Sequence, residues 1–326
     1  MTYSTGNVVV ASDFNGFVST NAGANLNDFW GTGSGDLGWG QTAVGTVSTG
    51  GTVTATNWAS LINNLASSGS QTNTTLTSRT TPTAGSLVSA LANVSADLSS
   101  VTTNRGNAAA SGTTSSTWTG NVAFTSATAA SLSGWTISWI QTVTFPSADQ
   151  ARYFWNAGGL VRLDMSKTST GTDKDADWNT FAGQVGTIYL SGRVNSAAQT
   201  IAGTSYTGTT RVNGTGGTQT TLATTTGWYS LTPGAAATTL FQLNDATSPY
   251  TGDYIKISAS IDSLSTVLTL QTIWYDAGYS LDGESNGITG GTNTTSPFSS
   301  FGTAPAVLVR CVPPSTTYLT NSWGTP

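Results

Sequence analysis

Through the last two thirds of the chain, large apolar residues take turns with Thr and Ser. Trp135, Ile137, Trp139, Val143 and Phe145 alternate with Thr136, Ser138, Thr142 and Thr144 until Pro146 ends the run. A period of two belongs to a strand with one buried face. Comparable runs predict strands at Leu160–Met165, Thr187–Arg193, Trp228–Leu231, Thr239–Leu243, Tyr254–Ile261, Val267–Tyr275 and Ala306–Val312. Turn residues separate them at intervals that suit a sandwich. Ser147–Trp155, opened by Pro146 and Ser147, and Asp177–Gly183 predict two short helices between strands. Residues 117–326 are therefore expected to form one antiparallel β-sandwich domain.

Residues 1–110 follow a different rhythm. Ser12 and Asp13 precede Phe14, Phe17 and Val18, an N-cap followed by the spacing of a short amphipathic helix. A glycine-rich loop runs from Gly31 to Gly40, then a brief alternating stretch from Val44 to Val53. Thr56 and Asn57 are expected to cap a second helix with the apolar face Trp58, Leu61, Ile62 and Leu65. Leu87, Leu91, Val94, Leu98 and Val101 recur at alternating steps of four and three, the seam of a coiled coil or small bundle. Both apolar faces are candidate assembly seams against sister chains, with docking on the chain's own core as the alternative. Residues 104–116 read as a flexible joint, which places the domain boundary between 110 and 117. The expected fold is mainly β: a C-terminal sandwich behind an N-terminal region of short amphipathic helices.

Composition narrows the function. Only 8% of residues are charged, histidine is absent, and aromatics reach 10% with 11 Trp. Disorder goes with few aromatics and high net charge, so a folded chain with aromatic anchors is expected. Thr-rich strands keep an outer face hydrated without charge, which removes the repulsion that usually guards sheet edges. Sister subunits are the simplest cover for such edges. The net charge is -5, with ten basic residues and no Lys/Arg cluster, which excludes phosphate-neutralising nucleic-acid binding and disfavours an anionic membrane surface. No run approaches the ~20 apolar residues of a membrane span, and no basic stretch leads into an apolar one, so neither insertion nor a secretory signal is expected. The single Cys311 is expected as a small buried residue of the strand around Val307–Val312, with an interchain disulfide as the alternative.

Candidate chemistry is sparse. Nucleophilic Ser lacks a histidine base and a G-x-S-x-G elbow, and the three lysines, Lys167, Lys174 and Lys256, stand in no recognisable motif. The 31–40 loop lacks the Gly-Lys-Ser/Thr ending of a phosphate cradle. Asp173, Asp175 and Asp177 resemble the opening of a calcium loop, but Trp178 stands at its glycine position and Gln184 at its twelfth. Asp177 is instead expected to cap the next helix while its neighbours solvate a loop. With 14 Asp and one Glu, Glu284, paired carboxylates for glycoside hydrolysis exist only as scattered candidates. No enzymatic activity, metal or cofactor is expected.

The segment Ala151–Arg162 resembles the Arg-x-Phe-Phe-Asn-x-Gly-Gly-x-x-Arg motif of virion structural proteins of tailed phages, particularly those of cyanobacteria and marine bacteria. Arg152, Phe154, Asn156, Gly158, Gly159 and Arg162 carry the match, and Trp155 stands at the family's second Phe. Further steps resemble the same proteins in order: Ala11 to Asn15, Gly38 to Gln41, Thr54 to Trp58, Asp177 with Trp178, Gly186 to Ile188, Gly227 to Thr232 and Tyr250 to Ile257. Tyr153, Phe154 and Trp155 would pack a helix on the sheet, Asn156 would cap it, and Gly158 and Gly159 would reverse the chain. Arg152 and Arg162 are read as parts of an intrachain turn or, alternatively, of an interchain ion pair. The resemblance implies a virion component of the tail-fibre or baseplate-appendage type, assembled in the host cytoplasm as a homo-oligomer, commonly a trimer, with other virion proteins as partners. Two alternatives accompany it: an adhesin that binds host surface glycan through the Gly283–Thr303 loop, and a polysaccharide-degrading tailspike.

Overall fold

The structure is a computed structural model that describes residues 10–20, 25–83, 93–109, 113–116, 122–128, 134–167, 173–192, 198–278, 287–293, 295–296, 298–300 and 315–323. Four helices come first: α1 (Ala11–Val18), α2 (Leu26–Phe29), α3 (Ala55–Thr72) and α4 (Val94–Asn104). Strands β1 (Thr113–Ser116), β2 (Val122–Thr128) and β3 (Trp135–Thr144) lead to α5 (Ala148–Asn156), β4 (Leu160–Leu163), β5 (Ser166–Lys167) and α6 (Asp173–Val185). The short strands β6 (Thr187–Ser191), β7 (Gln199–Ile201), β8 (Thr204–Tyr206), β9 (Thr209–Val212) and β10 (Thr218–Leu222) follow. Long strands β11 (Thr238–Asn244), β12 (Tyr254–Ile261) and β13 (Val267–Asp276) precede β14 (Gly287–Asn293), β15 (Thr295–Ser296), β16 (Phe298–Ser300) and β17 (Ser315–Trp323).

The fold is mainly β, with antiparallel sheets and short amphipathic helices at the N-terminus. A six-stranded sheet in the order β10-β11-β12-β13-β3-β17 faces a four-stranded sheet, β15-β4-β6-β9. Alternation decides which face is buried. In β13 every second residue points inward, so Leu268, Leu270, Thr272, Trp274 and Asp276 share one side. Across the ladder Trp274 pairs with Ile137 of β3. One hydrophobic core joins these strands to Ala151, Phe154 and Trp155 of α5, Trp178 and Phe181 of α6, and Ile188 and Leu190 of β6. The arrangement is sandwich-like, with α5 and α6 contributing to the filling. Trp178 stacks on Trp274 at 5.5 Å, and Trp139 meets Trp274 edge-on at 5.3 Å. Each such pair adds roughly 0.5–1.5 kcal/mol beyond the area it buries.

The N-terminal helices build a second core from Phe14, Phe17, Phe29, Trp39, Trp58, Leu61, Leu65, Val94, Leu98 and Val101, closed by Ala157 from beyond α5. Helix α3 starts two residues earlier than its sequence suggests: Thr54 is the cap, and Asn57 answers it, accepting from the Thr54 N–H at 2.9 Å. The alternating stretch after Val44 is no strand. Its ladder partners are two asparagine amides: Asn27 exchanges a pair of 2.9 Å hydrogen bonds with Val44, and Asn15 a pair of 2.8 Å bonds with Val47.

Other expectations change as well. Residues 104–109 are not a free joint, because Ala108 bridges to Ile201 and the Ala109 N–H donates to Gln71 O at 2.7 Å. Trp228–Ser230 is a turn of 3-10 helix rather than a strand, with Trp228 stacked on Trp155 at 6.0 Å. Within the range read as a Gly283–Thr303 loop, β14, β15 and β16 are strands. Cys311, Glu284 and the Ala306–Val312 segment lie outside the described residues.

Candidate functional site

Helix α5 and the glycine-rich loop, more than a hundred residues apart in sequence, form one hydrogen-bonded unit. Arg152 and Asn156 are four residues apart and share a face of α5, whereas Ala151, Phe154 and Trp155 point into the sandwich core. From that shared face Arg152 Nη1 donates to Leu37 O at 2.9 Å and Gly35 O at 3.1 Å, and Nη2 to Thr32 O at 3.2 Å. Asp149, one turn back, steadies the guanidinium through Oδ1 at 2.8 Å. Asn156 Nδ2 donates to Leu37 O at 2.8 Å and Gly38 O at 3.0 Å. In return the Trp39 indole N–H donates to Asn156 O at 3.1 Å.

A third segment completes the site. The Tyr229 hydroxyl donates to Asn156 Oδ1 at 2.6 Å and lies 3.0 Å from Gly35 O. Burial pushes that hydroxyl well above the ordinary tyrosine range, so it stays protonated and remains a donor. Arg105, just past α4, holds Asp36 of the same loop at 2.5 Å. The loop accepts so many donors because its glycines let successive carbonyls face α5. At Gly40, φ is +69° and a Cβ would overlap the Tyr153 ring, so only glycine fits. Most of the donors in this network hold loop backbone. The arrangement clamps one part of the chain to another.

No family model, curated protein or solved structure matches the chain. Its residues therefore stand on their own geometry. Of the motif residues, Phe154 packs against Phe145 at 5.5 Å and Trp155 at 4.9 Å. Gly158 has φ +90°, and a Cβ on Gly159 would lie 2.5 Å from the Phe154 ring. Asn156 does not cap its own helix; it is the last helical residue and its amide reaches the loop instead. Arg152 and Arg162 have partners within the chain, the latter pairing with Asp164 at 2.6 Å.

The apolar faces read as assembly seams are likewise consumed internally. Trp58, Leu61, Ile62, Leu65, Val94, Leu98 and Val101 are all buried within the single chain. The helices are short and their apolar stripes close on each other and on Trp39, so no apolar seam is left facing outward at these residues. Leu87 and Leu91 lie outside the described residues.

A second constellation escaped the sequence reading. Helix α6 begins at Asp173, so the aspartate run that resembled a calcium loop is helical, and Asp177 lies inside the helix rather than capping it. Burial first, and then the neighbouring Asp245 carboxyl, push Asp177 up to about 7. Asp245, Asp253 and Asp276 end or flank three neighbouring strands, β11, β12 and β13, and all three are buried. Lys174, 1% exposed, reaches into this group and pairs with Asp276. Among the described residues no group of three or more metal-ligating side chains is placed to hold an ion. Strand ends carrying a lone Asp give no local signal in sequence, because only strand pairing brings them side by side.

Proposed function

We propose that the chain is a structural component of a tailed-phage virion, of the tail-fibre or baseplate-appendage type, that acts by assembly. The observation that carries this reading is the meeting of three separate steps of the resemblance at one place. The Arg152–Asn156 motif, the Gly38 to Gln41 step and the Gly227 to Thr232 step all contribute to the clamp around Asn156. Motifs that recur in order and also interlock mark a shared architecture better than any one of them does. Glycines and carbonyl-holding donors serve a rigid building block.

Contact with sister chains falls to surfaces other than the helical seams. Strand β10 lies at the outer edge of the six-stranded sheet, and its first three side chains, Thr218, Gln219 and Thr220, are exposed and uncharged. Such an edge lacks the charge that keeps strands apart. Immunogold labelling of purified particles of the encoding phage, with antibody raised against the chain, tests the proposal. Label on the tail or its appendages is expected. Particles that carry no copies of the chain would refute it.

A further inference from the structure

Lys174 and Asp276 are the most completely buried pair of opposite charges described in the chain, 1% and 0% exposed at their side chains. Nζ lies 2.8 Å from Oδ1 and 2.6 Å from Oδ2 of the same carboxyl. A nitrogen between both oxygens is about 3 Å from the carboxyl carbon but lies near the carboxyl plane, so it must shift over the carboxyl face before it can bond to that carbon. The surroundings exclude water. Trp274 lies two residues before Asp276 on the same face of β13, stacked on Trp178, which lies one turn beyond Lys174 on α6. Trp135 opposes Asp276 across the ladder and contacts Trp178 at 5.0 Å. The Tyr250 ring lies 5.6 Å from Nζ.

We propose that these two side chains join covalently: Lys174 Nζ condenses with the Asp276 carboxyl to form an intrachain amide, with Asp253 carrying the protons. Burying an ion pair costs desolvation of both charges, and condensation to a neutral amide removes both. Backbone donors and a second carboxyl flank the pair. Gly278 N–H donates to Asp276 Oδ1 at 2.7 Å and stabilises the oxygen on which charge develops. Ala277 N–H, next in sequence to Asp276, holds Asp253 Oδ1 at 2.8 Å, and Asp253 Oδ2 is buried with no hydrogen-bond partner among the described residues. Burial, reinforced by the Asp276 charge, pushes the Asp253 carboxyl up to about 8, so it is protonated at neutral pH. Burial raises Asp276 as well, which favours the neutral acid within the pair.

The step balances without any further reactant. A proton first passes from the Lys174 ammonium to Asp276 Oδ2, leaving a neutral amine and a neutral acid. Nζ then bonds to the Asp276 carboxyl carbon, and the bond from that carbon to Oδ2 breaks. Asp253 gives its proton to the departing Oδ2 and receives one from the nitrogen, so it ends as it began. Oδ2 leaves as water, and Oδ1 remains as the amide oxygen on Gly278 N–H. The bond ties α6 to β13 across 102 residues of chain.

Denaturing intact-mass spectrometry of the full chain, with near-UV circular dichroism confirming native packing beforehand, tests the proposal. The folded protein is expected one water lighter than its sequence, with trypsin failing at Lys174 and that peptide joined to the one containing Asp276. Lys174→Met and Asp276→Ala are expected at full mass. The isosteric Asp253→Asn is expected to convert at least ~100-fold more slowly than wild type. Natively packed wild type that keeps its full sequence mass through prolonged incubation from pH 5 to pH 8 would overturn the proposal, as would a cross-link between other residues. An Asp253→Asn variant converting at the wild-type rate would overturn the role given to Asp253.

Discussion

Replacing Asn156 by Ala removes the centre of the loop clamp, and the cost follows from its contacts. Its three shortest hydrogen bonds go: to Leu37 O at 2.8 Å, to Gly38 O at 3.0 Å, and from Tyr229 at 2.6 Å. Leu37 O keeps Arg152 and the Tyr229 hydroxyl keeps Gly35 O, but Gly38 O loses its partner in a buried place. At about 1 kcal/mol net per bond, and about 1–3 kcal/mol for the orphaned carbonyl, destabilisation of about 3–5 kcal/mol is expected. Tyr229→Phe alone should cost about 1 kcal/mol, since only its hydroxyl is lost. The two changes share a bond, so the double variant should cost less than their sum by about 1 kcal/mol. Urea unfolding followed by tryptophan fluorescence measures all three. A cost below about 1 kcal/mol for Asn156→Ala, or additivity within about 0.5 kcal/mol, would show that the clamp does not act as a unit.

Stability should fall as pH rises from about 4 to about 8. Asp253 at about 8 and Asp177 at about 7 keep protons in the native state that the unfolded chain has already released, so their contribution is fully present in acid and lost towards alkaline pH. A urea midpoint that climbs between pH 5 and pH 9 contradicts this, and Asp253→Asn should flatten the dependence. Gly40→Ala forces a Cβ into the Tyr153 ring at φ +69°, and should lower stability by about 1–3 kcal/mol or more; an unchanged melting temperature would mean the loop re-forms elsewhere. Trp58→Ala should cost about 3–5 kcal/mol by opening the N-terminal core, with protease cleavage appearing first within residues 11–101. A fully folded Trp58→Ala variant that stays monomeric where the wild type self-associates would restore the assembly seam.

Periodicity was a good guide wherever one face of an element meets the core. The alternation from Trp135 and that of Tyr254–Ile261 place β3 and β12 to within a residue, because inward apolar side chains must recur every second position. Helix α5 was equally visible from Ser147 and the aromatic trio after it, and Ser147 does cap it, accepting from the Gln150 N–H at 3.2 Å. The short strands β7 to β10 carry mostly Thr, Gln and Ser, so no apolar alternation announces them, and hydrogen bonding to neighbouring strands alone makes them strands. Trp228 has the sequence character of a strand residue, yet it opens a turn of 3-10 helix with its ring stacked on Trp155.

What the amino-acid sequence determined by itself was local: the periods, the cap at Ser147 and the aromatic anchors. Which apolar face turns inward against which partner was decided only in three dimensions. The stripe on α3 looks the same whether it meets a sister chain or Phe14, Leu98 and Trp39 of its own. The clamp on Asn156 and the buried pair of Lys174 with Asp276 were likewise invisible, since each joins residues roughly a hundred positions apart. Side chains that distant acquire a chemical environment only when packing removes water from between them, and no local pattern records that event.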